Sequence, residues 1–450
     1  MAIMTVRLNH LVLPLAHKAT AMRTIDTTGS SQAKSSAVSP LIGAHLQQGD
    51  VDSKILQSGL GTRISTTVTR TTTTRITSSA PALSADNNAT PTFAMLVQAY
   101  FDCRKHKRNT DSALAFEQNL ERNLAELYQA LINGSYTPGK SICFVITRPK
   151  AREVWAAEFR DRIVHHLFYN YVSPRFCAGF IADSCACIPG RGTLYAAKRL
   201  ESKIRSITQN WSQPAYYLKC DLANFFVAID KQILFKQLSA KIAEPWWLKL
   251  GELILFHDPR LNYELRGDAD KLKLVPAHKR LTNHPADYGL PIGNLSSQFF
   301  ANIYLNALDQ FIKHQIRAKY YIRYVDDFVL LHESAQWLNA ALAKIDAYLP
   351  ATLNARLNPK KTILQPVDRG VDFVGQVIKP WRRSTRKRTI KTAIKRIQTM
   401  PKDDVFEAAN SYLGIIGQAS KGHHDNCLVA KQILKRGLCV NQQITKAYRT

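Results

Sequence analysis

Tyr321-Ile322-Arg323-Tyr324-Val325-Asp326-Asp327-Phe328 is the stretch that decides the fold. Two adjacent carboxylates interrupt a β-rich, apolar pattern that runs from Tyr320 to Val325 and again from Phe328 to Leu331. The pattern predicts a hairpin with acidic residues at its turn. Like charges at a hairpin tip beside a core repel each other and resist desolvation, so a bound cation is the economical explanation of their placement. A solvated turn is the competing explanation, since Asp is common there. Tyr324 and Phe328, on strands this apolar, argue against it. A third carboxylate comes from Lys219-Cys220-Asp221-Leu222-Ala223-Asn224-Phe225-Phe226, where Asp221 ends a buried aromatic strand over Ala215 to Cys220. A strand end and a hairpin tip can converge on two metal ions roughly 4 Å apart, which activate an attacking hydroxyl, stabilise a pentavalent phosphorus and bind leaving pyrophosphate oxygens. Magnesium suits hard oxygen ligands that leave room for phosphates and water.

Outward from this centre, composition points to a polyanionic partner. The 450 residues are 45% hydrophobic, enough for one large core or two moderate ones. The formal net charge of +27, from 61 Lys and Arg against 34 Asp and Glu, exceeds what solubility needs and favours nucleic acid. No apolar run approaches the roughly 18 residues of a spanning helix, so no membrane partner is expected. The eight cysteines form no regular framework and no C-x-x-C pair, which fits reduced thiols and a cytoplasmic location. His423, His424 and Cys427 lie close together, but a zinc site normally needs two spaced pairs of ligands, and an ordinary polar loop is the better reading.

Residues 1–92 are rich in Ser and Thr, as in Thr66 to Thr74, and are expected to be a disordered extension. Met1 to Arg23 is acid-free, with Arg7, Lys18 and Arg23, the composition of a transit peptide as well as of an idle tail, and Met95 is an alternative start. From Phe93 the pattern turns helical: Phe116, Leu120, Leu124, Leu127 and Leu131 predict one amphipathic helix stopped by Gly134. Ser141 to Thr147 reads as a short strand, and Phe299, Ile303, Leu308 and Phe311 as a helix after a loop at Gly293. The mixture lacks the strict alternation of a doubly wound fold. Phe373 to Lys402 is acid-free and carries Arg382, Arg383, Lys387 and Lys391 among other cations, a run suited to phosphate-backbone contact.

Tyr324-Val325-Asp326-Asp327 resembles the Y-x-D-D box of reverse transcriptases, and Asp221 with Phe225 and Phe226 resembles their first palm motif. Other motifs of that family follow in its order from about Met95 onward. Pro149-Lys150-Ala151-Arg152-Glu153-Val154 and Phe159-Arg160-Asp161-Arg162 resemble the fingers hairpin, Ser184 to Thr193 with Arg191 the template-contacting loop, Leu290 to Gln298 the helix-entry motif, Asn358 to Thr362 the motif after it, and Val371 to Gly375 the primer grip. The resemblance implies an α+β right hand: fingers over 93–215, an antiparallel-sheet palm over 216–380 with a fingers segment inserted at about 235–288, and a short basic helical thumb over 381–450. It implies an RNA-directed DNA polymerase that takes an RNA template, a DNA or RNA primer and dNTPs. Two Mg2+ ions, with Mn2+ able to substitute, would be held by Asp221, Asp326, Asp327 and the backbone carbonyl of Leu222. Lys361 would help protonate departing pyrophosphate. Lys150 and Arg152 would grip the triphosphate, Phe226 would exclude a 2′ hydroxyl, and Gly293 would shape the nucleotide floor. Arg160, Arg162, Arg191, Ser297, Gln298, Arg382, Arg383, Lys387 and Lys391 are the expected nucleic-acid contacts.

Ile292 before Gly293, and Gln298 after Ser297, depart from the common Gln and Pro of this motif. An aliphatic residue followed by Gly-x-x-x-Ser-Gln, with the fingers segment Phe159 to His166, resembles the reverse transcriptases of diversity-generating retroelements. That subtype implies mutagenised cDNA with changes at template adenines, and a small basic accessory protein. A phage-defence reverse transcriptase is the alternative, and an inactive nucleic-acid-binding relative a weaker one, because all three acidic residues are present.

Overall fold

A computed structural model describes residues 90–105, 110–148, 150–419 and 423–449. The expected disordered extension and transit-peptide composition fall on residues outside this set, apart from the last few before Phe93. Three helices open the described chain: α1 (Phe93–Arg104), α2 (Asp111–Glu117) and α3 (Leu120–Ile132). The single helix predicted from Phe116 to Leu131 is therefore two. The chain turns at Asn119, whose φ of −130° and ψ of 52° are not helical, although Phe116, Leu124, Leu127 and Leu131 all reach the core. Periodicity reports the buried side, not continuity of the backbone. Gly134, at φ +71°, ends the segment as expected.

Strands β1 (Ser141–Ile146) and β2 (Arg152–Ala156) form an antiparallel hairpin, followed by the long helix α4 (Phe159–Cys177) and by α5 (Thr193–Ile207). Strand β3 (Tyr216–Asp221) leads to the short helix α6 (Phe225–Ala228), then α7 (Lys231–Ser239) and α8 (Pro245–Phe256). Strand β4 (Tyr263–Leu265) runs parallel to β1 and completes a sheet of order β2-β1-β4. The stretch expected as an inserted fingers segment, about 235–288, thus holds the end of α7, all of α8 and strand β4. Helices α7 and α8 belong to the main core, where Trp247 stacks on Tyr171 with centroids 3.9 Å apart, and only the chain from His257 onward joins the fingers sheet.

Helix α9 (Leu295–Gln310) precedes the central hairpin of β5 (Tyr320–Tyr324) and β6 (Asp327–His332). Helix α10 (Ala335–Leu353) and β7 (Ile363–Pro366) complete the palm, an antiparallel sheet of order β5-β6-β3-β7. Helices α5 and α10 pack against it. Phe328, Val329, Leu330 and Leu331 are all buried, which explains why these strands read as continuous apolar runs rather than as an alternation. One charge pair lies inside this layer. Arg323 donates to both carboxylate oxygens of Asp309 at 2.7 and 2.6 Å, neither side chain is exposed, and Tyr321 adds a hydroxyl bond to Asp309 at 2.7 Å. Losing one partner of such a pair strands a buried charge, at a cost of ~3–5 kcal/mol.

A third sheet, β8 (Val371–Phe373), β9 (Gln376–Lys379) and β10 (Arg382–Thr385), follows. A boundary at residue 381 would cut this sheet, because Arg383 pairs with Ile378 and Thr385 with Gln376. A separate core starts at Ile390, built by α11 (Lys387–Thr399), α12 (Lys402–Ile416) and α13 (His423–Lys435) with the hairpin β11 (Leu438–Val440) and β12 (Ala447–Arg449). Ile390, Ala393 and Ile397 form the buried stripe of α11, and Lys387, Arg388, Lys391 and Lys395 are exposed. Among the described residues no helix is long and apolar enough to cross a membrane.

Candidate active site

Backbone pairing brings the three acidic residues together. Asp221, the last residue of β3, lies opposite Asp327, the first residue of β6. Tyr324 also pairs with Asp327, so Val325 and Asp326 alone make the turn. Val325 sits at φ +56°, a left-handed conformation that a β-branched residue adopts at a cost of about 1–3 kcal/mol. The turn is fastened from the neighbouring strand, where the Leu222 amide donates to the Asp326 carbonyl at 3.2 Å. The Asn358 amide donates to the Asp221 carbonyl at 2.8 Å, which sets the Pro359–Lys361 turn beside the same strand end.

Two of the carboxyls, Asp326 and Asp327, are held above their ordinary value. Burial, and then the charges of Asp221 and Asp327, push the Asp326 carboxyl up to about 6. Burial also raises Asp327, against the opposing charge of Lys219. Lys219 donates to Asp327 Oδ2 at 3.0 Å, while Asp327 Oδ1 is buried without a hydrogen-bond partner among the described residues. Lys361 Nζ donates to Asp221 Oδ1 at 2.5 Å. Crowded hard oxygens with one orphaned acceptor fit a divalent cation. In the arrangement seen, the two ammonium groups stand at Asp221 and Asp327, and among the described residues no three His, Cys, Asp or Glu side chains are drawn into a ligating cluster.

Phe226, Lys150 and Arg152 are among the expected nucleotide residues. Phe226 is half-buried, its ring edge-on to Phe225 at 5.4 Å, and its carbonyl accepts from the Leu290 amide at 2.8 Å. Lys150 is exposed and Arg152 half-buried at the start of β2. Desolvation, and then the positive charges of Lys361, Lys279 and Arg152, hold the Lys150 ammonium below its ordinary value. Gly293, expected to shape the nucleotide floor, lies against the fingers strand. It adopts φ +139°, and a Cβ there would stand 2.9 Å from both the Trp155 carbonyl oxygen and Val154 Cγ1. The Trp155 amide donates to the Ile292 carbonyl at 2.8 Å. Glycine therefore lets the palm loop lie against the fingers strand.

The expected nucleic-acid contacts divide in two. Arg382, Lys387 and Lys391 are exposed, and Gln298 is half-buried. Arg383 is 4% exposed; it donates to Glu201 at 3.0 Å and bonds the Gln376 side chain and the Gln418 carbonyl, so it ties α5 and β9 to the chain after α12 instead of facing solvent. Arg191 clamps its own loop through the Ile181 and Ser184 carbonyls at 2.7 and 2.8 Å. Arg162 donates to the Ala157 carbonyl at 2.7 Å, Arg160 to that of Thr137 at 3.2 Å, and Ser297 is buried. These guanidinium groups look like that of Arg382 in sequence; bonds to carbonyl and carboxylate oxygens within the fold set them apart.

Sequence reasoning missed Lys219 and Arg323. Lys219 lies two residues before Asp221 and so on the same face of β3, a period-two signal present in the sequence. Arg323, between Ile322 and Tyr324, needed Asp309 to explain it, and nothing local supplies that partner.

A family model described as "Reverse transcriptase (RNA-dependent DNA polymerase)" matches residues 150–378. Similar solved structures include a telomerase from Candida albicans in complex with a TWJ fragment of telomeric RNA, at 12% identity and TM-score 0.41, covering 66% of this chain and 54% of that one. They also include an apo telomerase from Candida tropicalis truncated from its C-terminal domain, at 13% identity and TM-score 0.39, covering 55% of this chain and 54% of that one. The chain thus spans about half the length of either telomerase. No curated protein matches it in sequence.

Proposed function

Because this chain belongs to the reverse transcriptase (RNA-dependent DNA polymerase) family, we propose that it copies an RNA template into DNA at the Asp221, Asp326 and Asp327 centre, as the reverse transcriptase of a diversity-generating retroelement. Reverse transcriptase domains generally use divalent metal ions. The observation that supports the reading is the pairing of a strand end with a hairpin tip, which sets Asp221 opposite Asp327 and next to the Asp326 turn. One buried carboxylate oxygen there has no hydrogen-bond partner among the described residues. Asp221, Asp326, Asp327 and the Leu222 carbonyl would hold two Mg2+ ions, which when bound supply charge neutralisation at the phosphate and a more acidic primer 3′ hydroxyl.

The chain's own residues do the rest. Lys150 and Arg152 bind triphosphate oxygens, the guanidinium through paired donors. Phe226 packs where a ribose 2′ hydroxyl would stand, and so selects dNTPs. Lys361, already within hydrogen-bonding reach of Asp221, is placed to carry a proton to the departing pyrophosphate. The exposed cations of α11 hold an A-like primer–template duplex through its backbone, without reading bases. Ile292, which meets the fingers strand through its carbonyl, brings no polar side chain to the nascent pair, and this supports the error-prone subtype.

The test is sequencing of cDNA made by purified protein, with its native RNA and the small basic accessory protein supplied. Errors concentrated at template adenines, reduced in Ile292→Gln, are expected; an even error spectrum in both proteins would leave a general or defence-type reverse transcriptase. Phe226→Ala should raise ribonucleotide incorporation by about 10- to 100-fold, the range expected when a small steric block is removed.

A further inference from the structure

The chain from His257 to Tyr288 lies between two palm motifs yet is fixed to the fingers. Beyond β4, the Arg266 amide donates to the Cys143 carbonyl at 2.8 Å, and the ring of Tyr263 meets Trp155 edge-on at 5.0 Å. Leu281 shares a small core with Cys143, Trp155 and Val227. Its amide donates to the buried Glu153 carboxylate at 2.9 Å, and the same oxygen accepts from Trp155 Nε1 at 3.2 Å. Arg260 holds the run from behind, donating to the Leu281 and His284 carbonyls at 3.1 and 2.6 Å.

Lys279 stands two residues before Leu281, in the single 3-10 turn Ala277–Lys279. It is exposed, and among the described residues its side chain makes no ion pair or hydrogen bond. The bond that anchors Leu281 to Glu153 ties the backbone two residues after Lys279 to the start of β2. The electrostatic surroundings of Lys150 agree, since the charges of Lys361, Lys279 and Arg152 all bear on it beside Asp221. The positive charges of three separate stretches of chain thus bear on one another beside Asp221, and of these four cations only Lys361 has an anion of its own among the described residues. Gathered like charges without counter-ions repel, and a polyphosphate relieves that repulsion.

We propose that Lys279 binds the triphosphate of the incoming deoxynucleotide together with Lys150 and Arg152, which makes the inserted segment part of the nucleotide site. The proposal rests on the polymerase reading. An ammonium on a flexible stem suits the task as a point charge that can follow the phosphates.

Two measurements on the full chain test it: steady-state single-nucleotide incorporation on saturating primer–template, and equilibrium binding of a fluorescent dNTP. Lys279→Ala should raise the KM for dNTP and the nucleotide Kd by about 10-fold, the equivalent of about 1.4 kcal/mol. It should leave kcat within about two-fold and primer–template affinity unchanged, and Lys279→Arg should recover most of the loss. Lys273→Ala, on the same segment but paired with Asp270 at 2.7 Å, should change neither. An unchanged KM in an enzyme that extends primers would overturn the assignment while sparing the polymerase. Lost primer–template affinity at constant KM would overturn it too, by placing Lys279 on the nucleic-acid backbone. Nucleotide binding that depends on Lys279 in a chain that extends no primer would uphold the site and defeat the polymerase reading.

Discussion

His165 on α4 is 8% exposed, with Nδ1 3.3 Å from Ser296 Oγ, at a small cavity also lined by Asp161, His257 and Ser297. Burial first, and then the charges of Arg162, His257 and His166, lower its proton affinity to about 3. It is therefore neutral in the fold, whereas the unfolded chain takes up a proton below about pH 6.5. The stabilisation is complete above pH 6.5 and is lost as pH falls toward 3, by about 1.4 kcal/mol for each unit. Urea midpoints at pH 7.5 and 5.5 should show a smaller acid loss in His165→Gln than in the parent; equal losses would contradict the buried neutral histidine. The acidic centre illustrates how unevenly single residues can be read from sequence. Asp221, Asp326 and Asp327 were legible because carboxylates inside apolar strands are costly, and Lys219 was legible in principle from its shared strand face. The buried duty of Arg383 was not, since an arginine in an acid-free run looks the same whether it faces solvent or Glu201.

At the scale of elements, the contact between the β1–β2 hairpin and the palm loop depends on Gly293. Gly293→Ala would force an L side chain to φ +139° and into the Trp155 carbonyl. The expected result is a loss of about 1–3 kcal/mol in stability, with a further fall in activity as the bond between the Trp155 amide and Ile292 is displaced. A full-length variant with parental melting behaviour and activity would show that the loop can move away freely. The hairpin β5–β6 was readable because two β-rich apolar runs flank a pair of carboxylates. The break between α2 and α3 was hidden, because both helices continue the same buried side, and β4 was hidden because three residues are too few for any pattern. The extent of the inserted segment is hard to read for a related reason. Helices α7 and α8 carry apolar faces like any palm helix, and only pairing with β1 marks where the fingers begin.

Across the whole molecule, a net charge of +27 implies binding that weakens steeply with salt. The cations of α11 are exposed and were expected to meet a duplex backbone, whereas Arg383 is buried. Lys387→Ala with Lys391→Ala should reduce the slope of log affinity against log salt by roughly 2, about 0.9 for each phosphate no longer neutralised. Arg383→Ala should instead lower stability and leave the slope near its parental value. The right-hand architecture was legible because its motifs occur in order, while the thumb boundary was not, since β10 continues the basic run that marks the thumb in sequence. The most direct measurement is primer extension on a heteropolymeric RNA template with dNTPs and Mg2+, comparing the parent with an Asp326→Ala, Asp327→Ala variant of equal folded content. Metal-dependent cDNA from the parent and none from the variant is the predicted result. Synthesis that survives in the variant, or a parent that stays inactive with its native RNA and partner supplied, would contradict the assignment of this acidic centre as the polymerase site.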